Sequence, residues 1–528
     1  MAYSTTTNTP STRSLTTPPF LFFFPTVVAF LCLVSFFTSS TAFSSESRLV
    51  VSDQLSSEAE ALLKWKASLL NYSVAALDSW KLTITSPSPN VSTMASSPIS
   101  PCKWFGITCN KVGSSVVEIS LPEAELQGTL HNLTFSSFPN LLRLNLSLNG
   151  LIGPIPMHIG SLSKLTHFDL SNNNLSGVLP LTLSNLSSLR FLVLHANEIT
   201  GRIPLEIGNM KNLIKLSIGW NKFTGLIPPV LANLTNLKYL YLHSNEFSGS
   251  IPSEIGDLEN LIGLALNQNK LSGPIPRSLA NLSKLEKLHL YENEFSGPVP
   301  SEIGDLENLV ELYLPQNKLN GPIPRSLANL SKLEKLYLYE NEFSGQMPSE
   351  IGDLENLIEL DLSQNKLSGP IPRSLANLSK LEKLYLYENE FSGLVPSEIG
   401  DMGNLIELSL GQNILCGSIP RSLGNLSKLE NLYLYENEFS GPVPSEMGDL
   451  KNLVELYLPQ NKLSGPIPCS LANLSKLDKL YLRGNEFSGP VPSKIGDMEN
   501  LILLSLGQNK LRGPIPHSLA NLSRLEQQ

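Results

Sequence analysis

Charge and cysteine are both scarce in this chain of 528 residues, and each scarcity removes a class of protein. Charged residues make up 16% and the net charge is −9, so no basic surface is offered to nucleic acid or to an anionic membrane. Five cysteines are too few for a disulfide-built scaffold. Seven histidines are scattered, and there is no phosphate-cradling Gly loop, no His-Glu-x-x-His and no nucleophile elbow. No catalytic residue, metal ligand or cofactor is therefore expected. Gly and Pro are plentiful, 35 and 38, yet they do not mean disorder, because most recur in a single repeated step.

That step belongs to a unit of 24 residues, L-x-x-L-x-L-x-x-N-x-Φ-x-G-x-Φ-P-x-x-Φ-x-x-L-x-x with Φ apolar, seen twice in residues 331–378. Its asparagines fix the register: from Asn149 through Asn341 and Asn365 to Asn509 they follow at intervals of 24 without insertion or deletion. Such self-similarity means a solenoid of stacked coils. In residues 333–338 apolar and polar positions alternate, which predicts a short strand with leucines inward. Asn341 then turns the chain, its amide satisfying backbone groups of neighbouring coils. Gly345 and Pro348 re-aim it, and Ile351 and Leu354 return it to the core. Stacked coils give a parallel sheet at about 4.8 Å per strand, so about 17 coils would run for about 80 Å before curvature. The first coil is atypical, with Ala124 where Asn belongs.

Residues 1–42 read as a secretory signal peptide: an apolar run at 20–37, then small residues ending at Ala42. An uncleaved anchor is the alternative, since 18 residues nearly span a bilayer. Residues 43–116 read as an N-terminal cap. A capping box from Ser57 to Glu60 opens a helix whose stripe is Ala59, Leu62, Leu63, Lys66, Leu69 and Leu70, followed by Leu77 and Trp80. A Ser/Thr/Pro-rich insertion occupies 83–100. Cys102 and Cys109 flank a tight Trp/Gly segment; a disulfide that helps close the solenoid end is the favoured reading, and a zinc site is the alternative. Cys416 and Cys469 lie two coils apart, about 10 Å along the stack, beyond disulfide reach.

Here the sequence resembles a known family. Glu58-Ala-Glu-Ala-Leu62-Leu63-Lys-Trp65-Lys66, then Ser79-Trp80, then Cys102 to Cys109, resembles the N-terminal cap of plant leucine-rich-repeat receptor-like proteins and receptor-like kinases. The repeat form L-x-x-N-x-L-x-G-x-I-P is similar to the plant-specific one. The resemblance implies an α/β repeat solenoid: a right-handed curved superhelix, parallel sheet concave, short 3-10 and irregular segments convex. It also implies a non-catalytic recognition module for a secreted peptide or protein, with a leucine-rich-repeat co-receptor as a further partner. The kinase and membrane span of the full-length family are absent from residues 117–528, which read as repeats to an uncapped end, as in an ectodomain fragment or truncated gene product. Membrane attachment would come only through a C-terminal part beyond this chain. A secreted inhibitor of cell-wall hydrolases, like the polygalacturonase-inhibiting proteins, is the rival reading.

In a solenoid, function is expected on the outward strand positions, which form one continuous face. One column alternates in charge: Lys287, Glu311, Lys335, Glu359, Lys383, Glu407, Asn431, Glu455, Lys479. This reads as a self-neutralising ladder of pairs. The next column carries Tyr241, Ala265, His289, Tyr313, Tyr337, Asp361, Tyr385, Ser409, Tyr433, Tyr457 and Tyr481. Two residues on, Tyr291, Tyr339, Tyr387 and Tyr435 fall on every second coil, and Trp220 extends the aromatic zone. Beside them Glu292, Gln316, Glu340, Gln364, Glu388, Gln412, Glu436 and Gln460 offer acceptors and amide donors. An extended peptide is expected to lie across this surface. Replacing Tyr337, Tyr385 and Tyr433 by Ala should then abolish binding and leave thermal stability intact. Concave Arg483 lacks the second arginine with which some family members grip a peptide's terminal carboxylate.

Thirteen glycosylation sequons support secretion: Asn71, Asn90, Asn132, Asn145, Asn174, Asn185, Asn233, Asn281, Asn329, Asn377, Asn425, Asn473 and Asn521. The last eight recur every 48 residues, away from the strand, so glycans would coat a flank. The expected location is the secretory pathway, then the extracellular (apoplastic) space or the cell surface.

Overall fold

The computed structural model describes residues 56–81 and 100–526. The signal-peptide reading at 1–42, nearly all of the Ser/Thr/Pro-rich insertion and Asn90 lie outside the described residues. What is described is a right-handed solenoid with one sheet of eighteen strands on its concave side. The first strand, Ile107–Cys109, runs antiparallel to its neighbour, and all the others are parallel.

One coil shows why. Its strand is only Lys335–Tyr337, shorter than the leucine pattern suggests, and pairs in register with Glu359–Asp361 so that Leu336 lies beside Leu360. Leu333, Leu336, Leu338, Phe343, Ile351 and Leu354 are all fully buried, so one turn of chain supplies a complete layer of core. A second short strand, Glu342–Gln346, pairs with Lys366–Gly369 of the next coil, and a 3-10 turn, Ser349–Asp353, closes the loop. Gly352 in that turn has no room for a side chain, because a Cβ would collide with the backbone carbonyl of Ser374 in the next coil.

The asparagine performs the role its spacing suggested. The Asn341 amide donates to Leu314 O of the preceding coil at 3.0 Å, and to Leu338 O and Tyr339 O of its own coil at 3.1 Å each. Its Oδ1 accepts from Leu319 N of the preceding coil at 3.0 Å. The same pattern recurs at Asn365 and Asn389, giving a continuous ladder through the stack. Entry to this turn is left-handed: Glu340 has φ +49° and Gln364 +53°. Such a conformation costs a non-glycine residue about 1–2 kcal/mol, and the asparagine's bonds hold it in place.

The cap differs from its sequence reading in detail. The helix Ser57–Ser68 is capped by Ser56, whose side chain accepts from Ala59 N, so the capping box at Ser57 and Glu60 does not form. Glu58 is instead buried, taking hydrogen bonds from Ser115 Oγ at 2.7 Å and Val116 N at 3.0 Å. This ties the helix to the first coil. The buried face is Glu58, Ala59, Ala61, Leu62 and Trp65, whereas Leu70 lies beyond the helix and is exposed. Lys66 is no part of an apolar stripe; its ammonium donates to Leu77 O and Trp80 O. Trp65, Trp80 and Trp104 pack together, with ring centroids 6.3 and 5.7 Å apart. Cys102 and Cys109 are joined in a disulfide, so neither serves as a zinc ligand. Cys416 and Cys469 are free thiols.

Glu58→Ala strands the Val116 amide and the Ser115 hydroxyl, and is expected to cost about 2–3 kcal/mol at the cap. Hydrogen exchange should show it as lost protection at Val116 and its neighbours, with the central coils unchanged.

Candidate ligand-binding face

On the concave face the charge column pairs across strands: Lys287 with Glu311 and Lys479 with Glu455 at 2.7 Å, and Glu359 with Lys335 at 3.4 Å and Lys383 at 3.8 Å. The tyrosine column hangs on the same carboxylates. The Tyr385 hydroxyl donates to Glu407 at 2.8 Å, Tyr433 to Glu455 at 2.7 Å, and Tyr337 to Glu359. His289 Nε2 lies 2.8 Å from Glu311 Oε2. Burial, followed by the neighbouring carboxylate, pushes the Tyr337 and Tyr433 phenols well above their ordinary range, so they remain donors at physiological pH.

The rings also contact each other. His289, Tyr313 and Tyr337 stack at 4.5 and 4.6 Å; Tyr433, Tyr457 and Tyr481 follow at 5.1 and 4.1 Å. Each such pair contributes about 0.5–1.5 kcal/mol beyond burial. Truncating Tyr337, Tyr385 and Tyr433 to Ala therefore removes three hydrogen bonds and the ring contacts with Tyr313 and Tyr457, so a loss of stability is now expected alongside any loss of binding. The Glu/Gln column is likewise engaged internally: Gln316 Nε2 donates to Glu340 at 2.8 Å and Gln364 Nε2 to Glu388 at 2.9 Å. Arg483 bonds to Gln508.

Tyr291, Tyr339, Tyr387 and Tyr435 are half-buried, and each follows a coil with Asn267, Pro315, Ser363 or Gly411 at its position. The reason is packing. A Cβ on Gly411 would run into the Tyr435 ring, and one on Gly219 would lie 2.6 Å from the His243 ring. Each large side chain leans over the preceding coil, which must carry a small one, and so alternate coils differ.

The ring ladder breaks where Ala265 and Asn267 stand at outward positions, beside Gly263, whose own outward space the Tyr241 and Tyr239 rings fill. Ala265 occupies the tyrosine column between Tyr241 and His289. The break leaves an open recess of about 290 Å³ walled by Trp220, Tyr241, His243, His289 and Tyr291, with Lys287 at its edge. Trp220 is 51% exposed at the left-handed position. Column reading misses His243 because its column varies widely, with Ser, His, Gly, Asn, Tyr, Pro and Arg at other coils. Its Nδ1 is buried without a partner, and burial, then His195 and His289, pushes its pKa down to about 4. Two further breaks fall at Asp361 and Ser409, on either side of Tyr385.

His243 and Asp361 make opposite contributions to acid stability. The unfolded imidazole protonates below its ordinary 6.5, the folded one only near 4, so its contribution is full above 6.5 and is lost as pH falls toward 4. Burial pushes the Asp361 carboxyl up from 3.8 to about 7, so its folded form gains stability as pH drops through that window. His243→Phe should therefore gain on the parent in Tm from pH 6.5 to 4, and Asp361→Asn should lose ground. Parallel curves for all three would refute the assignment.

The eight sequons spaced by 48 residues stand exposed at the ends of 3-10 turns such as Arg325–Asn329, on the flank. Asn145 differs: it lies on a concave strand, and its side chain accepts from Ser147 N at 3.0 Å. Among the described residues there is no group of His, Cys, Asp or Glu suited to a metal and no helix long and apolar enough to cross a membrane.

Coil, asparagine ladder and Cys-containing cap together define a leucine-rich-repeat solenoid. The Leucine-rich repeat region profile matches residues 228–343 and 316–441, and the Leucine rich repeat N-terminal domain profile matches 55–110. Single Leucine Rich Repeat units match at 164–186, 212–234, 452–474 and 500–522. The leucine-rich repeat receptor-like serine/threonine-protein kinase RGI4 of Arabidopsis thaliana is 40% identical over 117 residues, 22% of this chain and 9% of that kinase. A TDR receptor crystal structure is similar at TM-score 0.74 and 32% identity, over 77% of this chain and 70% of that one. The Arabidopsis receptor kinase HAESA, in complex with the peptide hormone IDA and the co-receptor SERK1, is similar at TM-score 0.68 and 30% identity, over 89% of each chain. The chain belongs to the plant leucine-rich-repeat receptor family and corresponds to its ectodomain.

Proposed function

We propose that this chain perceives a secreted peptide, bound in extended form along the concave sheet, and that it acts outside the cell without catalysis. The observation carrying the reading is the recess over Ala265 and Asn267. Over much of the remaining face the Tyr337, Tyr385 and Tyr433 hydroxyls, the Glu/Gln pairs and the charge column bond to one another, leaving a ligand mainly ring faces there. At the recess the ladder opens, and ring walls around an alanine floor suit one apolar or aromatic side chain, the kind of anchor that dominates peptide affinity. The HAESA complex, with a peptide hormone and a co-receptor, supports a peptide ligand and a co-receptor as partners here. A kinase and membrane span would belong to a longer receptor of which this is the ectodomain.

Selection of random 12-residue peptides on the secreted chain should yield binders that share one large apolar residue. Failure to enrich any peptide, with the chain folded by circular dichroism, would refute the reading.

A further inference from the structure

The second break in the ladder has a chemistry of its own. Asp361 pairs in register with Tyr337 on one side and Tyr385 on the other, while Tyr339 and Tyr387 flank it from the neighbouring column. The carboxylate is shorter than the rings on either side, so the ring ladder is notched at its position, and all four phenols stand close enough to feel its charge. Its Oδ1 accepts from Ser363 N at 3.0 Å and Ser363 Oγ at 2.5 Å. Oδ2 has no hydrogen bond among the described residues, and no cation pairs with the group: Lys335 and Lys383 are both directed to Glu359. An uncompensated carboxylate among aromatic rings is costly unless it takes up a proton, as below pH 7, or a ligand supplies the missing charge.

Asp169 provides an internal comparison. It stands in the same column and makes the same bonds to Ser171, at 2.9 Å from N and 2.6 Å from Oγ. Its strand neighbours, however, are Asn145 and Val193, and of the four flanking positions only one carries a ring, the imidazole of His195. The Asp-x-Ser turn thus accounts for the bonds at both sites, but not for the aromatic frame around Asp361.

Resting on the peptide reading above, we infer that the Asp361 notch receives a cationic side chain of the ligand, an arginine or lysine. Ring faces attract cations and the free carboxylate oxygen can pair with one, whereas an apolar or acidic side chain would leave that oxygen stranded. The recess at Ala265 lies four coils away, about 19 Å at 4.8 Å per strand, which an extended chain spans in about six residues. The ligand is accordingly a peptide with a large apolar residue and a basic residue about six positions apart.

The test uses two fluorescent pools of 12-residue peptides, random in neutral residues and fixed at one central position as Arg or as citrulline, its uncharged isostere. At pH 8 the Arg pool should bind the parent chain at least tenfold more tightly by anisotropy. Asp361→Asn should erase that preference, and Asp169→Asn, which disturbs the same kind of turn, should retain it. Equal binding of both pools, or a preference that survives Asp361→Asn, overturns the assignment while leaving peptide binding in place. Binding of neither pool overturns both.

Discussion

Asn341→Ala should destabilise the central coils by about 3–5 kcal/mol, and Asn341→Asp, closer in shape, should do at least as much damage at neutral pH. The asparagine makes four bonds from a site 8% exposed. Three of its partners keep a second donor after truncation. Leu314 O retains Asn317, Leu338 O retains Asn365, and Tyr339 O retains Gln316 N. The amide of Leu319 retains nothing, since its bond is to Asn341 Oδ1. An orphaned buried donor costs about 1–3 kcal/mol, and three weakened carbonyls add about 1 kcal/mol each at most. Aspartate keeps the acceptor for Leu319 N but turns a buried negative charge toward three carbonyl oxygens, so its pKa must rise, and its stability should recover on acidification. Because a solenoid propagates stability from neighbour to neighbour, hydrogen exchange should show the loss centred on the coils of Leu319 and Asn341, fading within a few coils either way. An aspartate variant as stable as the parent at pH 7 would disprove the ladder's polarity.

This asparagine was legible in the sequence because its role recurs at every coil and its partners are backbone. The tyrosines were legible only in part. Columns of Tyr337, Tyr385 and Tyr433 are visible as a periodicity, but their bonds reach carboxylates 22 residues on, in the adjacent column and one coil away. Column reading treats side chains as standing upright, and these lean. The same lean explains the 48-residue period as a packing requirement, with Tyr435 over Gly411 and His243 over Gly219. The cap was misread by one residue for a related reason. Ser56 and Ser57 are equally good capping residues, and the choice is made by Glu58, which Ser115 and Val116 hold from 57 and 58 residues away. The recess was least visible of all. In the sequence Ala265 is one member of a column, and only its alignment with Asn267 between the surrounding rings makes it a hole rather than a substitution.

Ala265→Tyr should therefore reduce peptide affinity by about 100-fold or more without loss of stability. The new ring would enter a column that already carries Tyr at the adjacent coil, 241, and an imidazole at 289, and His289 already stacks on Tyr313 at 4.5 Å. Continuing that stack is worth about 0.5–1.5 kcal/mol, so the melting temperature should hold or rise. Binding moves the other way. An anchor side chain buried at the centre of an interface commonly carries about 2–4 kcal/mol, and a ring filling the recess excludes it. Filling tests the recess more cleanly than truncating the tyrosines, because removing Tyr337 or Tyr433 also breaks stacks and stranded carboxylates would confuse the result. Peptides selected on the parent chain should lose affinity for Ala265→Tyr through a faster off-rate, the usual signature of a lost anchor. The Asp361 notch, four coils distant, would remain intact in this variant. An Arg-over-citrulline preference that persists at the reduced affinity would mark the two positions as separate contacts of one extended ligand. Full affinity for Ala265→Tyr, with its ring seated in the column, would exclude the recess from the binding surface.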